Sequence, residues 1–250
     1  MKNINSLLMI LVSSTILFSA CKKDTTTTTC KTIQAKIVSA NSTDTTTINY
    51  SYNSAGKLIK IDMSGGISTN FTYSGSTLTR TLSANNIISE TDVYTLNSSG
   101  CADIAINKDA NSKVVSNTVY TYDDNGYLTT KTTTMAIDNT DVTTFTYSYD
   151  DNGNMTSSYA EHNVGSTAYT SNWQNDFEYF TDKLNKNSSA VGYEGKKNTN
   201  LTKSNTYYFN GALALTTNYA YELNADGYIS KQTAVIGGSI TYTFPVYSCK

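Results

Sequence analysis

The chain has 250 residues with 18 Lys and Arg against 20 Asp and Glu, a formal net charge of −2. Arg80 is the one arginine, and a faintly acidic surface almost without the bidentate guanidinium fork is a poor match for nucleic acid. Tyrosine is abundant, 20 residues beside 7 Phe and 1 Trp, and no long stretch carries apolar residues at helical spacing, so an all-β fold with almost no helix is expected.

In chain order, Lys2 is followed by the apolar run Leu7 to Val12 and then Ile16-Leu17-Phe18. This suits a signal-peptide core and is shorter than the roughly 20 residues that span a bilayer. Ser19-Ala20-Cys21 resembles the lipobox of bacterial lipoproteins, with Phe18 where that family usually carries Leu. The resemblance implies cleavage before Cys21 and lipid on Cys21, so that a membrane is a partner through the anchor. The expected organisation is a signal peptide over 1–20, a Thr-rich tether over 21–29 and one all-β domain over 30–250. The expected location is the cell envelope, as an outer-membrane lipoprotein facing the periplasm or the surface. Asp24-Thr25-Thr26 and Asp44-Thr45-Thr46 resemble the short O-glycosylation motif of exported Bacteroidetes proteins, which makes Thr25 and Thr45 candidate glycan sites.

From Tyr50 onward a pattern recurs: Tyr, a Tyr or Leu two places on, Asn or Asp, Gly three places later, then a small or apolar residue two past the Gly. It covers Tyr50 to Leu58, Tyr94 to Ala102, Tyr120 to Leu128, Tyr147 to Met155 and Tyr221 to Ile229. Degenerate copies at Phe71-Thr72-Tyr73, Phe177-Glu178-Tyr179 and Tyr207-Tyr208-Phe209 fill the long gaps, giving eight copies at a period of about 25. Residues two apart share a strand face, and Asx and Gly supply the turn that returns the chain as an antiparallel neighbour. Asn210-Gly211 fits a two-residue type I′ hairpin. The fold class is therefore an antiparallel β-hairpin repeat meander, with an open or rolled sheet.

The run Tyr120-Thr121-Tyr122-Asp123-Asp124-Asn125-Gly126-Tyr127-Leu128 resembles the YD repeat of Rhs-type proteins and of small Bacteroidetes lipoproteins. The resemblance implies the hairpin meander over about 45–230. It does not carry over a toxin-enclosing role, because eight copies enclose no cargo.

Constellations with chemistry are sparse. The loops at Asp123 to Gly126 and Asp150 to Gly153 lack the flanking oxygen ligands of a calcium loop. His162, beside Glu161, is the single histidine and reads as a loop residue; no metal site and no cofactor is expected. Gly192-Tyr193-Glu194-Gly195-Lys196 lacks the spacing of a phosphate loop. The chain is expected not to be an enzyme. With Cys21 lipidated, Cys30, Cys101 and Cys249 leave one disulfide and one thiol, with the pairing open. Residues 157–206 carry poorer periodicity together with Trp173, Phe177 and Tyr179, which makes these three the candidate binding residues. The expected function is binding or adhesion towards glycan or an envelope protein. The alternative is a structural envelope lipoprotein without a small ligand. Oligomeric state is left open.

Overall fold

The computed structural model describes residues 30–40, 42, 44–165, 169–186 and 193–249. Cys21 and Thr25 lie outside them. The strands are β1 (Cys30–Ser39), β2 (Thr45–Tyr52), β3 (Leu58–Met63), β4 (Ile67–Ser74), β5 (Thr77–Ala84), β6 (Ile87–Leu96), β7 (Ala102–Asp109) and β8 (Val114–Tyr122). They continue as β9 (Leu128–Met135), β10 (Val142–Tyr149), β11 (Met155–Val164), β12 (Tyr169–Leu184), β13 (Asn200–Phe209), β14 (Ala212–Leu223), β15 (Ile229–Ile236) and β16 (Ser239–Cys249). Among the described residues there is no helix. Each strand pairs antiparallel with its sequence neighbours, and β1 pairs β16, so the sheet closes into a barrel. The expected meander is therefore present, but the sheet is neither open nor merely rolled. Nine register pairs join β1 to β16, from Cys30 opposite Cys249 to Ser39 opposite Thr241.

The turns explain why the chain folds back where it does. At Asp123, Asp150 and Asn224 the side-chain Oδ1 accepts the amide of the residue four places on, and the backbone carbonyl accepts the amide of the turn glycine. Gly126, at φ 84, supplies the left-handed conformation that other residues resist. Asn210 and Gly211, at φ 48 and 77, have the two positive values of a type I′ hairpin.

Alternation then divides each strand between lumen and outside. On β2, Ile48, Tyr50 and Tyr52 point inward, and Thr47, Asn49 and Ser51 point outward. The apolar core lies inside the wall, around Leu58, Phe71, Leu78, Tyr94, Tyr120 and Leu128. A tyrosine clasp ties neighbouring hairpins together. The hydroxyls of Tyr122, Tyr149 and Tyr179 donate to the carbonyls of Ala102, Leu128 and Met155 at 2.8, 2.9 and 2.8 Å. Each acceptor lies two residues past a turn glycine. Tyr52 makes the same bond to Thr32 at 2.8 Å, and burial pushes its hydroxyl pKa up to about 12, which keeps it a donor.

Candidate functional site

Five described turns with the Asx–Gly pattern, at Gly56, Gly100, Gly126, Gly153 and Gly227, lie at one end of the barrel, because alternate strands run towards it. Cys30 and Cys249 lie at that end too, joined by a disulfide. Cys101 is buried beside Gly100 and, against the expectation of a leftover thiol, is not free.

The connection from β12 to β13 is longer than a turn, and its residues 193–199 cross this end as a strap. The Tyr193 carbonyl accepts the Ala102 amide at 2.7 Å, the Lys196 amide donates to the Gly126 carbonyl at 3.3 Å, and Asn198 Oδ1 accepts the Met155 amide at 2.8 Å. Thr199 Oγ1 donates to the Asn152 carbonyl at 2.7 Å. The strap thus bonds to three successive hairpins. Its Tyr193 ring is buried against Tyr94, with centroids 4.5 Å apart, and burial pushes the Tyr193 hydroxyl pKa well up. Gly195 takes φ 112, which side chains resist, and a Cβ there would also stand 3.2 Å from the Leu128 amide nitrogen. In the sequence this segment belonged to the irregular stretch 157–206 and to a failed phosphate loop, with no role assigned to its backbone. The readable signal was its length: a non-periodic stretch between two strands must bond its backbone to something.

Beside Tyr94, the lumen wall holds a charged group. Arg80 pairs with Glu90 and, at 2.5 Å, with Asp92, and Asp92 also accepts from Asn107 Nδ2 at 2.7 Å. Each of these charges has a partner, so the cluster fastens β5, β6 and β7 without an unanswered group.

The lumen-facing side of β12 holds the sequence-picked residues. Trp173 stands opposite Ala160 of β11, edge-on to Phe145 at 6.0 Å and 6.4 Å from the His162 ring. Phe177 and Tyr179 follow on the same face, half-buried. His162 and Glu161 are strand residues of β11, not loop residues: His162 faces the lumen and shares a 2.8 Å hydrogen bond with Thr143, while Glu161 faces out. Residues 157–164, 169–184 and 200–206 belong to regular strands, so most of the expected irregular insertion is regular sheet. Thr45 is exposed, at the start of β2.

The outward side of β12 carries Asn172, Gln174 and Asp176. Together with Tyr208 and Gly211 they line a shallow groove of about 220 Å³. Among the described residues no group of three metal-ligating side chains is found.

The rest of the outer wall is mixed: Ile104, Val119, Val235, Phe244 and Val246 face out and are exposed, beside rows of polar residues. Thr77, Thr79, Thr81 and Ser83 face out from β5, and Thr130, Thr132 and Thr134 from β9. Three outward ion pairs add to them: Lys60–Asp62 at 2.9 Å, Lys203–Glu178 at 3.0 Å and Lys231–Glu222 at 2.8 Å.

No family model matches the chain, and no curated protein does either. Solved structures do. A porin-like protein from Bacteroides uniformis superposes with a TM-score of 0.61 at 16% identity, covering 88% of this chain and 96% of that one. A porin-like protein from Bacteroides vulgatus gives 0.61 at 14% identity, covering 88% and 99%. At such identities the likeness is one of fold. It overturns the YD-repeat resemblance, and the repeat-protein description with it: the hairpins belong to a closed barrel whose similar structures are porin-like. The local Tyr–Asx–Gly pattern reports hairpin turns and carries no further kinship.

Proposed function

We propose that this chain is a non-catalytic lipoprotein of the bacterial outer membrane, anchored by lipid on Cys21, whose barrel stands in water and acts by binding. The coarse placement rests on the porin-like description of the similar structures. The observation that carries the finer reading is the outer wall. A lipid-facing barrel needs an apolar band about 25 Å tall, and a charge at its midplane costs about 2–4 kcal/mol. On this wall exposed apolar residues such as Ile104, Val119, Phe244 and Val246 are interrupted by rows of Thr and by three ion pairs, so no unbroken apolar band forms. Half of the strands are also short: β2, β4, β5, β7, β9, β10 and β15 have eight residues and β3 has six. An eight-residue strand is about 27 Å long and, tilted by about 40°, rises only about 20 Å.

The anchor also orients the barrel. Cys21 precedes Cys30 by nine residues, and Cys30 sits at the strapped end, so that end faces the membrane and the other mouth points away. Binding is assigned to β12, with Trp173, Phe177 and Tyr179 on its lumen face and the Asn172 groove outside.

The test is labelled palmitate with Cys21→Ala. The reading expects label on the wild-type chain and a Cys21→Ala chain that is exported and leaves the membrane fraction on washing. A Cys21→Ala chain that stays in the membrane through an alkaline carbonate wash would overturn it.

A further inference from the structure

The outward face of β12 carries a group of side chains that the fold does not use. Gln174 stands in one register row between Tyr159 of β11 and Tyr208 of β13, with Leu213 of β14 beyond. The two tyrosines are therefore two strand spacings apart, about 10 Å. Above and below Gln174 on the same face are Asn172 and Asp176. Gln174 Nε2 donates to Asp176 Oδ1 at 2.6 Å, which leaves Gln174 Oε1 and Asp176 Oδ2 facing the groove. Asn210 takes up the backbone of Asn172, giving its amide to the Asn172 carbonyl at 2.8 Å and accepting the Asn172 amide on Oδ1 at 2.9 Å. The Asn172 side-chain amide and the Tyr208 hydroxyl have no hydrogen-bond partner among the described residues. Gly211 closes the groove without filling it, since a side chain there would meet nothing within 4 Å.

We propose that this groove on the outer wall, along β12 and β13 with Tyr159 of β11 beside it, binds a neutral polysaccharide. An aromatic ring covers the C–H face of a sugar, while amides donate to and accept from its hydroxyls. Tyr208 and Tyr159 supply the rings, Asn172 and Gln174 the amides, and Asp176 an acceptor for a sugar hydroxyl. Charge selects the class. Asp176, Glu161 and Glu178 are acidic, and the nearby cation Lys203 is paired with Glu178, so a sulfated, uronic or phosphorylated chain is repelled. The extended shape of the row suits a chain of sugars rather than a single one.

This deepens the binding role proposed above by naming its ligand, and its failure is separable, because the test uses the soluble Cys21→Ala protein and asks nothing of the anchor. The experiment is native affinity electrophoresis through gels containing dextran, yeast mannan, arabinogalactan or, as the anionic case, polygalacturonate. At least one neutral polymer is expected to retard the protein. Tyr208→Ala and Gln174→Ala are expected to weaken that retardation at least tenfold, and Lys60→Ala, on a distant part of the wall, to leave it unchanged. Circular dichroism establishes that each variant is folded. Asn172→Asp, which adds charge with little change in size, gives the same loss should Tyr208→Ala fail to fold. No retardation by any neutral polymer, retardation by polygalacturonate alone, or loss with Trp173→Ala but not Tyr208→Ala would each overturn the proposal; the last would place the site in the lumen.

Discussion

Replacing Cys30 and Cys249 together with Ser tests how the barrel is held shut. The disulfide joins residues 219 apart. A cross-link over a loop of that length removes unfolded-chain entropy worth about 5 kcal/mol at 25 °C, although measured effects more often lie at about 2–4 kcal/mol. The native side should lose little, because nine register pairs along β1 and β16 remain once the bond is gone. Removal should therefore act through the unfolded chain, lowering the urea midpoint while the folded circular dichroism spectrum stays the same. The double variant is a cleaner reagent than a reductant, which would also act on other cysteines. Equilibrium urea unfolding of wild type and double variant reads the difference, with a loss of about 2–5 kcal/mol expected. Equal midpoints would refute the reasoning, and so would a variant whose folded spectrum has lost its β signature, since β1–β16 pairing would then depend on the bond.

Three further outcomes follow from the site. Tyr122→Phe removes the hydroxyl that holds the Ala102 carbonyl and should cost about 0.5–1.5 kcal/mol in the same unfolding assay; no change would mean the clasp contributes nothing. Gly195→Val places a β-branched residue at φ 112, against the Leu128 backbone, and should destabilise by about 1 kcal/mol or more and speed hydrogen exchange at the Ala102 amide; unchanged exchange there would contradict the strap's role. At Asp150 burial raises the carboxyl pKa, but hydrogen bonds from Asn154, Asn152 and Gly153 outweigh it and hold it below the usual range. A lowered folded pKa gives a contribution that is present above the unfolded value and lost as pH falls through the folded one. Wild type should therefore be more stable than Asp150→Asn mainly above about pH 4, with the difference shrinking as pH falls, and a constant difference from pH 2 to 7 would contradict the assignment.

The hairpins were legible because their signal is local. Asp123, Asp150 and Asn224 each make their turn with atoms from the next four residues, so the pattern is complete within a short window. Closure was not legible for the opposite reason. Cys30 against Cys249 and Ala35 against Pro245 are contacts across nearly the whole chain, and an open meander has the same alternation along each strand. That ambiguity let the Tyr–Asx–Gly runs pass for a repeat family.

The region after residue 157 was read as irregular for a second local reason. The inward face of β12 runs Ser171, Trp173, Asn175, Phe177, Tyr179, and its polar members interrupt the apolar alternation that marks a strand. In a barrel this wide the lumen tolerates a half-buried Asn175 and a buried Ser171, so the usual contrast between faces is weak. Trp173, Phe177 and Tyr179 all lie on the lumen side of β12. Asn172, Gln174, Asp176 and Tyr208 are ordinary surface residues in one dimension and become neighbours only through the β12–β13 register.

The account stands or falls on what the outer wall faces. The decisive measurement is sedimentation velocity of the purified Cys21→Ala protein in buffer without detergent, with the same sample then added to a planar lipid bilayer. A wall whose apolar residues are broken up by Thr rows and ion pairs predicts a soluble particle of defined mass and no conductance steps. Aggregation relieved only by detergent, together with stepwise ion conductance in the bilayer, would contradict it and make the barrel an integral membrane pore.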